Sequence, residues 1–223
     1  MKTALVTGAS SGIGKAIATA LLEKGMTVIG LCRSVDQLPD GVKPLACDLR
    51  DESAIRSAFE TLEKLDILVN SAGLAYLSRI CDGNPSDWDE MWRVNVYALG
   101  LCSQLSLALF PEEGGHILNL SSMSGHRVPP TGGFYASTKF AVRAVSEALR
   151  AELKNTGNKT RISCLSPGFV DTPLLDKYFA GREDQLAETR ANIDMLTPEA
   201  IADAALHILT SPASVEINDV LLR

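Results

Sequence analysis

Residues 3–14 read TALVTGASSGIG. A short run of apolar and β-branched residues ends abruptly on Gly8, and Gly12 and Gly14 follow. Such a run is a buried strand. The stretch GKAIATALLEKG (14–25) then carries apolar residues at helical spacing and closes on a glycine suited to end a helix. The opening unit is therefore strand, glycine turn, helix. Gly8 permits the sharp turn, Gly12 lets backbone approach a pyrophosphate, and Gly14 lets the helix pack on the sheet. The helix N-terminus offers free N–H groups to an anion. In this context Thr7–Gly14, with Ser10, Ser11 and Ile13 between its glycines, reads as a dinucleotide-binding loop. The bland alternative is a glycine turn that serves packing alone.

The same alternation runs onward. TVIGLC (27–32) and VKPLACDL (42–49) read as strands, and DESAIRSAFETLEKL (51–65) as an amphipathic helix with Ile55, Phe59 and Leu62 inward. DILVNSAG (66–73) is a strand and turn. Residues 85–110 read as one long helix with Trp88, Met91, Trp92, Val96 and Leu99 on one side. GHILNLSS (115–122) is a strand, 132–154 a helix, RISCLSPG (161–168) a strand into a turn, TPEAIADAALHILT (197–210) a helix, and INDVLL (217–222) the last strand. Alternating β and α predicts an α/β fold: a Rossmann-type doubly wound parallel sheet of about seven strands, helices on both faces, in three layers. With no linker or repeat, residues 1–223 are expected to form one domain. Residues 173–196 break the rhythm. They are polar, fit no strand and follow a strand end, where open α/β sheets bind ligands, so they are a candidate lid.

Composition narrows the class. The chain has 223 residues, 46% hydrophobic and 22% charged, with net charge -6. That balance argues against a nucleic-acid surface, and no run of about 18 apolar residues indicates a membrane span. Met1–Ser10 shows no signal-peptide pattern, so a cytoplasmic protein is expected. Five scattered cysteines predict reduced, mostly buried thiols, with neither disulfides nor metal-site spacing. His116, at a strand start, is expected at the surface. His126, just past a strand end, is a candidate for a substrate mouth.

FYASTKFAV (134–142) sets Tyr135 and Lys139 one helical turn apart, so both can face one cleft. An ordinary tyrosine, with a pKa of about 10, exchanges protons poorly at neutral pH, and moving it to about 7 takes roughly 4 kcal/mol of preference for the phenolate. A nearby ammonium would favour the anion. The pair alone is weak. It gains force from Ser122, 13 residues earlier, and from the glycine turn.

With the G-x-x-x-G-x-G spacing, this stretch resembles the short-chain dehydrogenase/reductase superfamily. The resemblance spans essentially the whole chain: Thr7–Gly14, Cys47-Asp48-Leu49, Asn70-Ser71-Ala72-Gly73, Asn95, Ser121-Ser122, Tyr135-x-x-x-Lys139, and Ser166-Pro167-Gly168 with Thr172. SMSGHRVPP (122–130) and the tail from Leu196 are similar to the branch of insect farnesol dehydrogenases and a hydroxysteroid/ketosteroid reductase. Bacterial 3-hydroxy acid dehydrogenases share a similar tail. There are two departures. Ser71 stands where the family usually has a second Asn, and LFPEEGG (109–115) is shorter than usual.

The resemblance implies that Tyr135 is general acid in reduction and base in oxidation, and that Lys139 also holds the cofactor ribose. Ser122, three residues before Gly125, would bond the substrate oxygen; Ser124 is a second candidate for substrate contact. Asn95 would anchor a water path to Lys139. Asn70, Ala72 and Gly73 would border the cofactor, Asp48 would receive the adenine amino group, and Leu49 would lie against the base. Val170 and Thr172 would meet the nicotinamide carboxamide after Pro167-Gly168. The second strand ends in Cys32-Arg33-Ser34, without the carboxylate that would bond a 2'-hydroxyl. Arginine's planar fork suits phosphate, so NADP(H) is the expected cofactor. The expected activity is reversible carbonyl reduction on a medium-sized ketone, aldehyde or secondary alcohol. Leu174, Leu175, Tyr178 and Phe179 suit a hydrophobic substrate or simply pack the lid down, whereas Arg182 and Arg190 keep a 3-hydroxy acid substrate open. A non-catalytic NADPH sensor is the remaining alternative. By resemblance, the helices at 85–110 and 132–154 pair across subunits, giving a homodimer or homotetramer.

Overall fold

A computed structural model describes residues 1–129 and 132–223. Pro130, the end of the SMSGHRVPP stretch, lies outside them. Seven strands follow in chain order: β1 Thr3–Thr7, β2 Thr27–Cys32, β3 Lys43–Ala46, β4 Ile67–Asn70, β5 His116–Leu120, β6 Arg161–Ser166 and β7 Asp219–Leu221. They form one sheet in the order β3-β2-β1-β4-β5-β6-β7, every pair parallel. Parallel neighbours need crossovers, and helices supply them on both faces. The helices are α1 Gly12–Glu23, α2 Glu52–Glu60, α3 Pro85–Trp92, α4 Ala98–Ser106, α5 Gly133–Thr156, α6 Pro173–Tyr178, α7 Glu183–Asn192 and α8 Pro198–Leu209.

Strand side chains alternate between faces, so neighbours feed different cores. Val6, Val69, Leu118 and Leu165 pack with Ile17 and Leu21 of α1 and Ile201 and Ile208 of α8. Leu5, Leu68, Ile117 and Ile162 pack with Ile55 and Phe59 of α2, Leu101 of α4 and Leu153 of α5. The central strands are therefore apolar throughout, as a sheet covered on both faces requires. The edge is different: β3 holds only Lys43, Pro44, Leu45 and Ala46 of the predicted strand and is mostly exposed. Lysine and proline blunt such an edge against further pairing.

The predicted helix over 85–110 is corrected in two ways. It ends at Ser106, and a π-helical turn, Arg93–Tyr97, joins α3 to α4. The wider turn disturbs the 3.6-residue period. Met91, Val96 and Leu99 are buried, but Trp92 is 43% exposed. Trp88 stacks on Phe134 of α5 with ring centroids 5.4 Å apart.

Strand order reverses between β1 and β4, whose ends, Thr7 and Asn70, lie side by side. The Thr7 hydroxyl oxygen accepts from the Ser71 and Ala72 amides at 3.1 and 3.0 Å, holding the two following turns together. This is the switch point at which open α/β sheets form a ligand crevice.

Candidate active site

The crevice opens there, with a volume of about 370 Å³. Its floor is the glycine turn. Gly8 has φ +69°, and a Cβ on it would lie 2.8 Å from Ala72 Cα. A Cβ on Gly14 would lie 2.4 Å from the Gly8 carbonyl oxygen, so α1 can start this close to β1 only with glycine there. Ser11 caps α1 without a side-chain bond, and the first turn has no acidic residue. The first amides of α1 thus keep free N–H groups beside the crevice, as an anion site needs. Ser10 and Ile13 complete this floor, Arg33, Ser34, Asp48 and Leu49 one end, and Ala72, Gly73 and Thr172 the other sides. Glycine backbone, free amides and a cationic end fit a dinucleotide.

The remaining expected cofactor residues do not line this space. Asn70 is buried behind it, donating to Ser103 Oγ at 3.0 Å and Asn119 Oδ1 at 2.9 Å, so its side chain ties β4 to β5 and α4. The Pro167 carbonyl accepts from Met123 N and the Gly168 amide donates to the Leu222 carbonyl, both at 2.8 Å, which fixes the turn after β6. Val170 bridges Leu196 and so closes the 173–196 segment at its base.

Tyr135 and Lys139 share one face of α5. Lys139 is 6% exposed, and its ammonium donates to the Leu120 carbonyl at 2.9 Å. A Cβ on Gly73 would lie 3.8 Å from Lys139 Nζ and 3.5 Å from Asn95 Oδ1, so the lysine stands beside a glycine of the crevice wall. Burial lowers the ammonium from a lysine's usual range to about 8. The phenol departs from expectation. Burial pushes it above the usual tyrosine value, Ser122 pulls it down, and Tyr178 adds to the rise. Lys139 Nζ stands 5.8 Å from the centre of the ring. Desolvation is the largest influence on the phenol, and the chain by itself holds Tyr135 in the protonated form.

The two adjacent serines divide in role. Ser121 is buried and donates to the Lys139 carbonyl at 3.0 Å, fastening α5 to the end of β5. Ser122 is partly open, accepts from the Ser124 amide at 3.1 Å and faces the phenol. Asn95 sits in the π turn, a deformation common at functional sites. Its amide grips Leu74, accepting from N at 2.7 Å and donating to O at 2.8 Å, and also donates to Thr138 Oγ1 at 3.0 Å. It joins the turn after β4 to α5.

His116 corrects a surface assignment. It is 2% exposed, with Nε2 2.8 Å from Ser163 Oγ, and burial lowers its pKa to about 3. In a sheet covered on both faces, even a strand's first residue can be enclosed. His126 lies 2.9 Å from Ser166 Oγ and 4.0 Å from Asp219 Oδ1, and is not on the crevice. All five cysteines are free, and four are buried; Cys81 is exposed.

Residues 173–196 hold α6 and α7. Leu175 and Phe179 are buried, and Tyr178 meets Tyr135 edge to face with centroids 5.9 Å apart. Arg190 is paired with Asp171 and Asp176. Gln37, Leu74 and Val94 line the crevice without having been singled out from the sequence, and so do two charged residues, Arg50 and Lys177. Arg50 forks onto Asp48 and reaches Glu90, so the carboxylate expected at the adenine is already engaged. Lys177 stands on the lid wall. The signal for Arg50 was its i+2 spacing from Asp48. For Lys177 it was helical spacing from Pro173 and Leu174.

A doubly wound sheet with this crevice and this Tyr–Lys helix defines a nucleotide-dependent oxidoreductase. The chain matches the short chain dehydrogenase family over residues 2–183 and belongs to it, a family that uses nicotinamide cofactors. It is 38% identical to a Bos taurus dehydrogenase/reductase, SDR family member 11, over 243 aligned residues, covering 100% of this chain and 95% of the relative. A solved serine dehydrogenase in its closed form with NADP+ superposes with TM-score 0.91 at 30% identity, covering 98% of this chain and 93% of that one. An alcohol dehydrogenase from the archaeon Thermococcus sibiricus, complexed with 5-hydroxy-NADP, gives TM-score 0.85 at 29% identity, covering 100% and 96%. Among the described residues no helix is long and apolar enough to cross a membrane, and no cluster of side chains could hold a metal ion.

Proposed function

We propose that the protein is an NADP(H)-dependent carbonyl reductase, reversible as an alcohol dehydrogenase, acting on a medium-sized, hydrophobic ketone, aldehyde or secondary alcohol. The observation that carries this reading is Lys139 beside Gly73 on the wall of a glycine-floored crevice, with Tyr135 one turn away on α5 and bonded to Ser122. The cofactor supplies or accepts hydride. Tyr135, kept protonated by burial, donates to the carbonyl oxygen in reduction and takes the proton back in oxidation. Ser122 bonds the same oxygen. Lys139 holds the ribose and stabilises phenolate once it forms. Asn95 holds the Leu74 turn against α5, which keeps Gly73 beside the lysine, and anchors the water path to Lys139.

In the cofactor site, Gly8, Ser10, Ser11, Gly12, Ile13 and Gly14 cradle the diphosphate; Arg33 and Ser34 take the 2'-phosphate. Asp48, steadied by Arg50, and Leu49 receive the adenine. Asn70 supports Ala72 and Gly73 from behind. Thr172 borders the nicotinamide, Pro167, Gly168 and Val170 fix the turn that carries it, and residues 173–196 are the lid of a single domain. The lid's apolar residues, with Leu174 on the crevice and Leu175 and Phe179 buried behind it, support a hydrophobic substrate of the kind taken by the farnesol dehydrogenase and ketosteroid reductase branch. A 3-hydroxy acid substrate is the second reading, favoured by likeness to the serine dehydrogenase. Against it, Arg190 is already paired within the lid. Trp92, Tyr97 and Phe140, each 40% exposed or more, lie on the α3–α4 and α5 helices and suit a subunit contact.

The test is NADPH oxidation against diketones, steroids, terpenoid aldehydes and 3-oxo acids. Turnover of neutral, apolar carbonyls is expected. Turnover confined to 3-oxo acids supports the second reading, and tight NADPH binding without turnover of any compound supports a sensor.

A further inference from the structure

Four charged residues line the crevice: Arg33, Asp48, Arg50 and Lys177. Three cations thus face one carboxylate, in a chain of net charge -6. Asp48 and Arg50 neutralise each other, and Arg50 also holds Glu90. Among the described residues Arg33 and Lys177 have no ion-pair partner. Arg33 stands at the end of β2. Lys177 stands on α6 of the lid.

Its placement follows from helical spacing. Pro173, Leu174 and Lys177 fall at i, i+1 and i+4 in α6, so they share a face. All three line the crevice. Leu175 is buried, Tyr178 turns to Tyr135, and Asp176 goes to Arg190. Asp171 and Asp176 are both held by Arg190. The stem of α6 stands over the glycine turn: a Cβ on Gly12 would lie 3.2 Å from Thr172 Cβ. The lysine therefore comes down over the same space that the free N–H groups of α1 address from below.

We propose that Lys177 is a second anion-binding group of the crevice, closing from the lid onto the diphosphate of the dinucleotide. It rests on the proposed cofactor site, but not on the choice between NAD and NADP, since both carry the diphosphate. Lid position is thereby coupled to cofactor: the cation that reaches the phosphate lies next in sequence to Tyr178, which packs on Tyr135.

The experiment measures dissociation constants of NAD+ and NADP+ by fluorescence titration for the wild-type chain, Lys177→Gln, Lys177→Arg, Arg33→Ala and Lys24→Gln. Lys24 is exposed at the far end of α1 and controls for general charge. Lys177→Gln should weaken NAD+ and NADP+ by the same factor, about tenfold for one charge-assisted contact. Lys177→Arg should restore most of the loss, Arg33→Ala should weaken NADP+ alone, and Lys24→Gln should change neither. Trypsin digestion of the lid should be slowed by NADP+ in the wild-type chain and not in Lys177→Gln. Unchanged constants in Lys177→Gln, or an equal loss in Lys24→Gln, would overturn the proposal. So would a raised KM for 3-oxo acids alone, which would assign the lysine to a substrate carboxylate. A wild-type chain that binds neither dinucleotide would instead sink the cofactor reading beneath it.

Discussion

The Lys139 ammonium donates to the Leu120 carbonyl oxygen at 2.9 Å, at the strand end that also carries Ser121 and Ser122. Burial lowers this lysine from 10.5 to about 8. In the unfolded chain it titrates near 10.5, so between those values the unfolded state binds more protons. Stability should therefore rise as pH increases from about 8 to about 10.5. The cost of burying the charge is fully present below 8, at about 3 kcal/mol. Urea unfolding of the wild-type chain and Lys139→Met across this range should show the rise only in the wild type.

Tyr135→Phe removes the proton donor and leaves the ring packed on Tyr178. Turnover should fall by about 10²–10⁴-fold, the usual worth of a positioned acid. NADPH affinity, read by fluorescence, should stay within twofold. Full activity in this variant would reject the assigned acid.

Ser121→Ala and Ser122→Ala should separate structure from chemistry. The first removes the side-chain bond that fastens α5 to the end of β5 and should cost about 1 kcal/mol in unfolding free energy. The second should leave stability nearly unchanged and lower kcat. Denaturation and steady-state rates on the same two preparations check both.

Exchanging Cys32→Asp together with Arg33→Ala adds a carboxylate and removes the cation at the end of β2. The ratio of NADPH to NADH preference should invert, since a charge-assisted phosphate contact is replaced by repulsion. An unchanged ratio would remove Arg33 from the phosphate site.

His116 gives an acid-side signature. Burial lowers it from 6.5 to about 3, so below 6.5 the unfolded chain takes up a proton that the folded chain refuses. Stability should be intact above 6.5 and fall as pH drops toward 3, by up to about 1.4 kcal/mol per pH unit. His116→Gln should flatten that slope in pH-dependent unfolding, and an equally steep slope would place the histidine in water.

Much of this was legible before any coordinates. TALVTGASSGIG carries its own geometry, because positive φ at Gly8 and the close approach at Gly14 demand glycine. Tyr135 and Lys139 were legible because four residues are one helical turn. The π turn at Arg93–Tyr97 was not, because it leaves no mark in hydrophobic spacing except that Trp92 falls on the wrong side. His116 was misplaced because burial at a strand's first residue depends on what covers the sheet. The Asp48–Arg50 pair and the face presented by Lys177 depend on side-chain direction across loops, which spacing alone does not specify.

The π turn has a consequence for the chain's tolerance of change. Removing one residue between Arg93 and Tyr97 would let an ordinary helix form, rotating what precedes it by about 100° relative to α4. Trp88 would leave Phe134, or Asn95 would leave Leu74. The length of this stretch is therefore as constrained as Asn95 itself, and a homologue that is one residue shorter there should have rebuilt the wall beside its lysine.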